Sequence, residues 1–215
     1  SVATAFETPT TTELANRPEG AGGFNPELEP TRALTTEGGV RARAGGGWSL
    51  EATLFRTGLR DELVPFEVTS SPGRTFYRNA GESSHRGWEM TVEGRPAPRV
   101  HARVAYTHVD ARFQRYVTSG GDFAGNRIPG LAPHRVDAVV ALERGAAFLE
   151  LRGLWQDAIP VDDAGTVASP ASLVVDARAG LQGAAIGRLK VDPFIAVANV
   201  LDRTYNASVV VNAFG

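Results

Sequence analysis

The residues able to do chemistry are few and widely spaced. There are four histidines and no cysteine. His101 and His108 stand an odd interval apart, so on a strand they face opposite sides and cannot share a metal ion. His85 and His134 lie in other segments. Asp122 and the Asp162-Asp163 pair offer the oxygen ligands that Ca²⁺ takes, but the alternating acidic pattern of a calcium loop is missing, and solvated acidic loops are expected. No metal site is predicted. Without cysteine, thiolate sites, disulfides and cysteine nucleophiles are excluded. No G-x-S-x-G elbow occurs, and in Ser83-Ser84-His85 the neighbours point apart on a strand. No catalytic residue, no enzymatic activity and no cofactor are predicted. Gly20, Gly22 and Gly23 precede no helical pattern, so a phosphate cradle fails on context. What remains is recognition. Phe66, Tyr77, Arg78, Arg115, Tyr116, Phe123 and Arg127 combine aromatic faces with guanidinium donors in polar connecting segments, where binding residues concentrate. The alternative is that they anchor those segments.

Strands must position these residues. Period-two alternation runs through most of the 215 residues, and helical periodicity is scarce. Val100, Ala102, Val104 and Tyr106 alternate with His101, Arg103, Ala105 and Thr107. The same pattern recurs at Trp88–Val92, Val136–Leu142, Leu149–Trp155 and Leu173–Leu181. Strands are predicted near 34–44, 48–58, 74–93, 99–111, 134–143, 147–156, 171–182 and 187–198. A short first strand is expected near 1–6, and Val209–Asn212 could begin another. No helix-length pattern separates the strands, so the sheet is antiparallel. Short turns are expected at Gly45–Gly47, Arg95–Pro98, Arg144–Ala146 and Gly183–Ile186. Between them lie long connections at roughly 8–33, 59–73, 112–133 and 157–169.

In an up-and-down meander, every second connection lies at the same end. Tight turns at one end and long loops at the other is the asymmetry of outer-membrane barrels. The segment from Thr75 to Glu93 lacks proline and exceeds the five or six residues usual in soluble strands. The fold class is therefore all-β, an antiparallel meander of about nine or ten strands forming part of a transmembrane β-barrel. Its apolar faces would meet lipid, with Trp48, Tyr106 and Trp155 as interfacial aromatics. Arg41, Arg103 and Arg178 would face the lumen. The pairs Glu89–Arg103 and Asp137–Arg152 are suggested as cross-strand neighbours. A soluble β-sandwich binding module alternates in the same way and is the competing reading. The seven recognition residues would in a barrel be either ligand contacts, or loop anchors and girdle residues.

With 22 Lys+Arg against 24 Asp+Glu the net charge is −2, which argues against a nucleic-acid partner. No run of eighteen apolar residues marks a transmembrane helix. From Ser1 onward no basic-then-apolar leader pattern is visible, and the final residues stop inside what reads as a strand or a loop. The expectation is one domain over 1–215, a piece of a longer protein cut at both ends.

Short motifs in order add what periodicity cannot. Phe24-Asn25-Pro26-Glu27-Leu28-Glu29-Pro30 resembles an "NPxLxPE" segment, and Asn79-Ala80-Gly81 with Arg86-Gly87-Trp88-Glu89 resembles "NAG…RGxE". Tyr106-Thr107-His108-Val109-Asp110-Ala111 resembles "YTYxDA". Asn126–Gly130 with Pro133-His134-Arg135 resembles "GxxIPxxPxH", and Asn199–Tyr205 resembles "NLFDxxY". In this order they resemble the C-terminal part of the barrel of TonB-dependent outer-membrane receptors. The resemblance implies a bacterial outer-membrane location, outer-membrane lipid as surroundings, and, in the full-length parent, energy-coupled uptake of a metal chelate such as a ferric siderophore. It implies contact with TonB only through an N-terminal region and plug that this sequence lacks, and a barrel of 22 strands. A self-contained small barrel, adhesive or structural, is the other membrane reading. For a chelate, the arginines suit carboxylate or catecholate oxygens, and the aromatic rings suit its flat organic part.

Overall fold

The computed structural model describes residues 1–15, 17–18, 23–67, 73–118 and 120–209. The side chains of Glu67 and Ile186 are outside that description. Gly20 and Gly22 fall outside it, as do Val210–Asn212 of the suggested last strand.

Nine strands form one sheet in which each is hydrogen-bonded only to its neighbours in the sheet's chain order. They are β1 (Val2–Glu7), β2 (Thr31–Ala44), β3 (Trp48–Glu67), β4 (Thr75–Ala97), β5 (Val100–Arg115), β6 (His134–Arg144), β7 (Ala147–Gln156), β8 (Ser172–Leu181) and β9 (Phe194–Val197). All adjacent pairs are antiparallel. This is the expected meander. A second sheet packed face to face, which a sandwich requires, is absent among the described residues.

Register carries the alternation across the sheet. Trp88 lies opposite His108, Met90 opposite Tyr106 and Val92 opposite Val104. Val104 continues to Ala138, and Tyr106 to Val136. Val136 continues to Trp155, and Trp155 to Leu173. One face is thus a continuous apolar surface, with Val140, Leu142 and Leu151 all more than two-fifths exposed. The other face carries paired charges. Arg41 meets Glu51 at 2.6 Å, and Asp137 takes Arg152 at 2.5 Å and Arg103 at 3.9 Å. From Leu142 to His134 the apolar face of β6 runs about 26 Å at ~3.3 Å per residue. That matches the roughly 25 Å apolar band of a membrane barrel.

Several boundaries differ from those expected. β3 does not stop at 58 but reaches Glu67, pairing with β4 well into the supposed 59–73 loop. Pro65 is tolerated because β2 ends its pairing at Arg60, leaving that edge of β3 with no ladder to feed. β5 likewise extends to Arg115. The Arg95–Pro98 turn is instead a two-residue turn at Pro98-Arg99, with Arg99 at φ 73. That displacement slides the register, so Arg103 lies opposite Glu93 and not Glu89. Asp137 and Arg152 do form an ion pair, though diagonally, with Leu154 directly opposite Asp137. The single strand expected at 187–198 is divided. A small hairpin of Ala184–Ile186 with Leu189–Val191 replaces the Gly183–Ile186 turn, and only Phe194–Val197 joins the sheet. Tyr106 lies mid-strand and not at a strand end, but at the level where the apolar face gives way.

The long connections hold small elements of their own. α1 (Thr11–Leu14) opens with a capping box between Thr10 and Glu13. Two-residue strand pairs close the connections after β5 and β7. The buried apolar residues sit mainly at this loop end: Val64, Phe76, Ala111, Phe113 and Ile159.

Candidate functional site

A bulge directs the inner face at the loop end. Register shifts flank Glu62, which pairs with Gly81, and Asp61 takes φ 59. A Cβ on Gly81 would stand 2.9 Å from the Glu62 Cβ and 3.1 Å from Val64 Cγ2, so only glycine lets the two strands approach here. Beyond the bulge, Val64 and Phe66 lie opposite Arg78 and Phe76.

These side chains build an aromatic cluster. Phe66 and Phe76 have ring centroids 6.0 Å apart, and the Arg78 guanidinium lies 5.3 Å from the Phe66 centroid. Arg78 Nη2 also donates to the Val117 carbonyl at 3.2 Å, tying β4 to the next loop. In that loop Tyr116 stacks on Phe113 at 4.3 Å with planes 10° apart, and lies 6.3 Å from Phe123. Burial pushes the Tyr116 hydroxyl up to about 12, and the charges of Asp163 and Glu62 add to the effect. Burial likewise raises the Glu62 carboxyl; the nearby Ser83 hydroxyl opposes this and the Glu82 charge supports it. Burial and the adjacent Asp162 raise Asp163.

Of the seven residues singled out from the sequence, four form two pairs, Phe66 with Arg78 and Tyr116 with Phe123, linked by the Arg78 bond to the Val117 carbonyl. Tyr77 lies opposite Pro65, on the face of β4 away from Phe76 and Arg78. Arg115 spends its donors on Glu82 at 3.0 Å and the Ala80 carbonyl at 3.0 Å. Arg127 is exposed in the following loop, bridged through its backbone to Arg112. Phe76, Phe113, Glu62 and Ser83 were not foreseen. Alternation alone puts Ser83 and Phe113 on the inner face; Glu62 and Phe76 come to it only through the register shifts around Glu62. The arrangement offers flat apolar faces, one guanidinium and a carboxylate rim. Among the described residues no group of three or more His, Asp or Glu is placed to hold a metal ion. His108 and His134, assigned to separate segments, in fact stack at 4.6 Å, on the apolar outer face.

The motif residues hold the loops around this cluster. Asn79 Nδ2 donates to the Glu29 and Asp61 carbonyls at 2.8 and 2.7 Å, and its Oδ1 accepts from the Glu29 amide at 2.8 Å. It thereby clamps the Phe24–Pro30 segment onto the β3 bulge. Asn126 Nδ2 donates to the Asp163 carbonyl at 2.9 Å, and the Ile128 amide to the Ala111 carbonyl at 3.0 Å. Asn199, at φ 52, exchanges two 3.0 Å bonds with the Arg203 backbone just after β9. That is the expected strand end.

Residues 1–197 match the family model for the TonB-dependent receptor-like β-barrel. The chain belongs to this family. The receptor-barrel fold is also seen in solved structures. The ferric-catecholate import receptor Fiu of E. coli K12 superposes with a TM-score of 0.71 at 20% identity, over 95% of this chain and 28% of that one. The siderophore receptor PiuA of Acinetobacter baumannii gives 0.71 at 20% identity, over 95% of this chain and 29% of that one. The ferric yersiniabactin uptake receptor FyuA of Yersinia pestis gives 0.67 at 20%, with the same coverages of 95% and 29%. The chain therefore spans less than a third of each of these receptors. As part of a receptor barrel it is a bacterial outer-membrane protein, and its apolar face is the lipid face. The charged face and the aromatic cluster look into the lumen.

Proposed function

We propose that this chain forms a stretch of the barrel wall of a receptor that imports a metal chelate, of the ferric-siderophore class, across the outer membrane. Residues 1–215 act as one wall segment of a larger barrel, and coupling to TonB belongs to other parts of the receptor. The supporting observation is at the loop end of the inner face, where Arg78 lies over Phe66 and donates to the Val117 carbonyl, next in the chain to Tyr116, which pairs with Phe123. Aromatic faces take the flat organic part of a chelate, and a guanidinium takes its catecholate or carboxylate oxygens. Arg115 and Arg127 stand at the rim as secondary contacts.

The test uses the full-length receptor in iron-limited cells. Arg78→Ala and Tyr116→Ala should each lower uptake of the chelate that supports growth by about ten-fold, on the scale of one charge-assisted bond or one stacked ring. The Arg115→Ala and Arg127→Ala changes should cost less. Unchanged uptake of every growth-supporting chelate in the Arg78→Ala/Arg115→Ala/Arg127→Ala variant would sink the proposal.

A further inference from the structure

Two carboxylates at the loop end stand without a cation. At the bulge Glu62 pairs with Gly81, two residues from Ser83 on the same face, and the glycine leaves no side chain between them. Ser83 lies opposite Phe113, and Phe113 stacks on Tyr116 at 4.3 Å. The Phe113 amide donates to the Asn126 carbonyl at 3.1 Å, and Asn126 Nδ2 donates to the Asp163 carbonyl at 2.9 Å. Glu62, Ser83, Tyr116 and Asp163 are thereby gathered at one place on the inner face, from two strands and two connections.

Their neighbours are already matched. Glu82 takes Arg115 at 3.0 Å, and Asp162 accepts from the Val167 amide at 3.0 Å and from the Thr166 hydroxyl. Arg78 is engaged by the Phe66 ring and the Val117 carbonyl. Among the described residues, no basic side chain lies within 4.0 Å of the Glu62 or Asp163 carboxylate. Ser83 is 2% exposed, and its hydroxyl, aimed at Glu62, makes no hydrogen bond of good geometry. Buried hydroxyls are seldom left so. An ionised Glu62 is the acceptor this hydroxyl lacks, and a bound cation holds Glu62 ionised. Glu62 and Asp163 are both raised by burial, the direction expected of carboxylates missing such a cation.

The donor set selects the kind of cation. A metal such as Ca²⁺ collects about six to eight oxygens, and among the described residues no group of three or more His, Asp or Glu is placed to hold one. An ammonium group needs less, since it has three N–H donors and its charge is also held by aromatic faces. Both carboxylates act on the Tyr116 hydroxyl, and the Tyr116 and Phe123 rings lie 6.3 Å apart. Resting on the chelate reading above, we propose that the imported chelate carries a protonated amine, which Glu62 and Asp163 bind beside the rings of Tyr116 and Phe123. The site then reads both ends of its ligand, Arg78 the anionic oxygens and the two carboxylates the ammonium.

The test is isothermal titration calorimetry on the purified full-length receptor in detergent. The probes are a ferric tris-catecholate and a ferric trihydroxamate, each made with a free primary amine and with that amine acetylated. The parent should bind an amine-bearing probe about ten-fold or more tightly than its acetylated partner, on the scale of one charge-assisted bond. Glu62→Gln/Asp163→Asn should bring the two forms within about three-fold of each other and leave the acetylated form bound as in the parent. The turn-end control Glu143→Gln should keep the preference. Folding of each variant is read from heat-modifiable gel mobility, and if the double variant fails to fold, Glu62→Gln alone should cut the preference by about three-fold. Equal binding of the two forms by the parent would overturn the proposal and leave the chelate reading standing, with the carboxylates matched by a cation of the receptor itself. An unchanged preference in the folded carboxylate variants would overturn it as well. So would displacement of the amine-bearing probe by equimolar calcium chloride, by making this a metal site. Binding of none of the four probes would overturn the chelate reading and this inference with it.

Discussion

Asn79 shows what one side chain can hold. Its amide makes three hydrogen bonds that join the segment before β2 to the β3 bulge. Asn79→Ala removes all three and leaves the Asp61 carbonyl only the longer 3.3 Å bond from the Thr31 hydroxyl, a loss of about 2–4 kcal/mol. Cleavage by added protease in the 8–30 connection of the full-length receptor should rise accordingly; unchanged resistance would mean that this segment is held elsewhere. Glu62 gives a pH dependence of defined sign. Its carboxyl is raised in the folded state by burial, so the folded form binds a proton more tightly than the unfolded one. Stability contributed by this group therefore falls as pH rises through the window between its ordinary value of 4.5 and the raised one, and grows on acidification. Asp163 acts in the same direction. Protection factors of the described amides in 113–126, corrected for the intrinsic pH dependence of exchange, should rise as pH falls from neutral towards the ordinary Glu value of 4.5, and Glu62→Gln should flatten part of that rise. At this scale the sequence showed which residue types recognise ligands but not which of them meet. Phe66 and Arg78 were visible as an aromatic and a cation. Their contact depends on a bulge at Asp61 that no alternation pattern announces.

The strands themselves were legible wherever one face was uniformly apolar. β7 was read with both ends correct, and β6 and β8 to within a residue or two, because charges alternate there without a break. Beyond the bilayer the alternation loses its apolar partner, since both faces meet water or loops, and β3 and β5 were cut short. The β8–β9 connection was misread because its hairpin alternates like a strand of the main sheet. Glycine positions along β4 make element-scale predictions. A Cβ at Gly87 would stand 2.0 Å from the His108 carbonyl oxygen and 2.8 Å from the Phe55 ring. That oxygen belongs to the backbone of the adjacent strand and cannot rotate away, so Gly87→Ala should cost about 1–3 kcal/mol or split the β4–β5 pairing. Gly38, on the lipid side of β2, has nothing within 4 Å. Gly38→Ala should be neutral or stabilise by up to about 1 kcal/mol, since glycine weakens a strand interior. Heat-modifiable gel mobility and urea midpoints of the two full-length variants would check the pair; similar behaviour would show that β4–β5 spacing is not set by Gly87.

At the scale of the whole molecule, the claim to test is the sidedness of the wall, because transport and lipid contact both depend on it. Val104 and Ala105 are neighbours on β5 and share nearly the same height. Val104 lies between Val92 and Ala138 on the apolar face, midway between Val100 and His108. Ala105 lies opposite Asp137 on the charged face. In a barrel wall the two positions see different solvents. Val104→Arg would place a guanidinium near the bilayer midplane, at a cost of about 2–4 kcal/mol. Ala105→Arg would enter the lumen beside a carboxylate already shared by Arg103 and Arg152, and should shift stability by less than about 1 kcal/mol. In a sheet with water on both faces the ranking would collapse, because an exposed Val104→Arg change is then as mild as its neighbour. Folding of the full-length receptor into phosphatidylcholine vesicles, followed through urea unfolding, measures both variants under one condition. A gap of at least about 2 kcal/mol in the stated order places the apolar face in lipid. Equal costs would mean water on both faces, and the assignment of the Phe66–Arg78 pair to a lumen would fall with the lipid face.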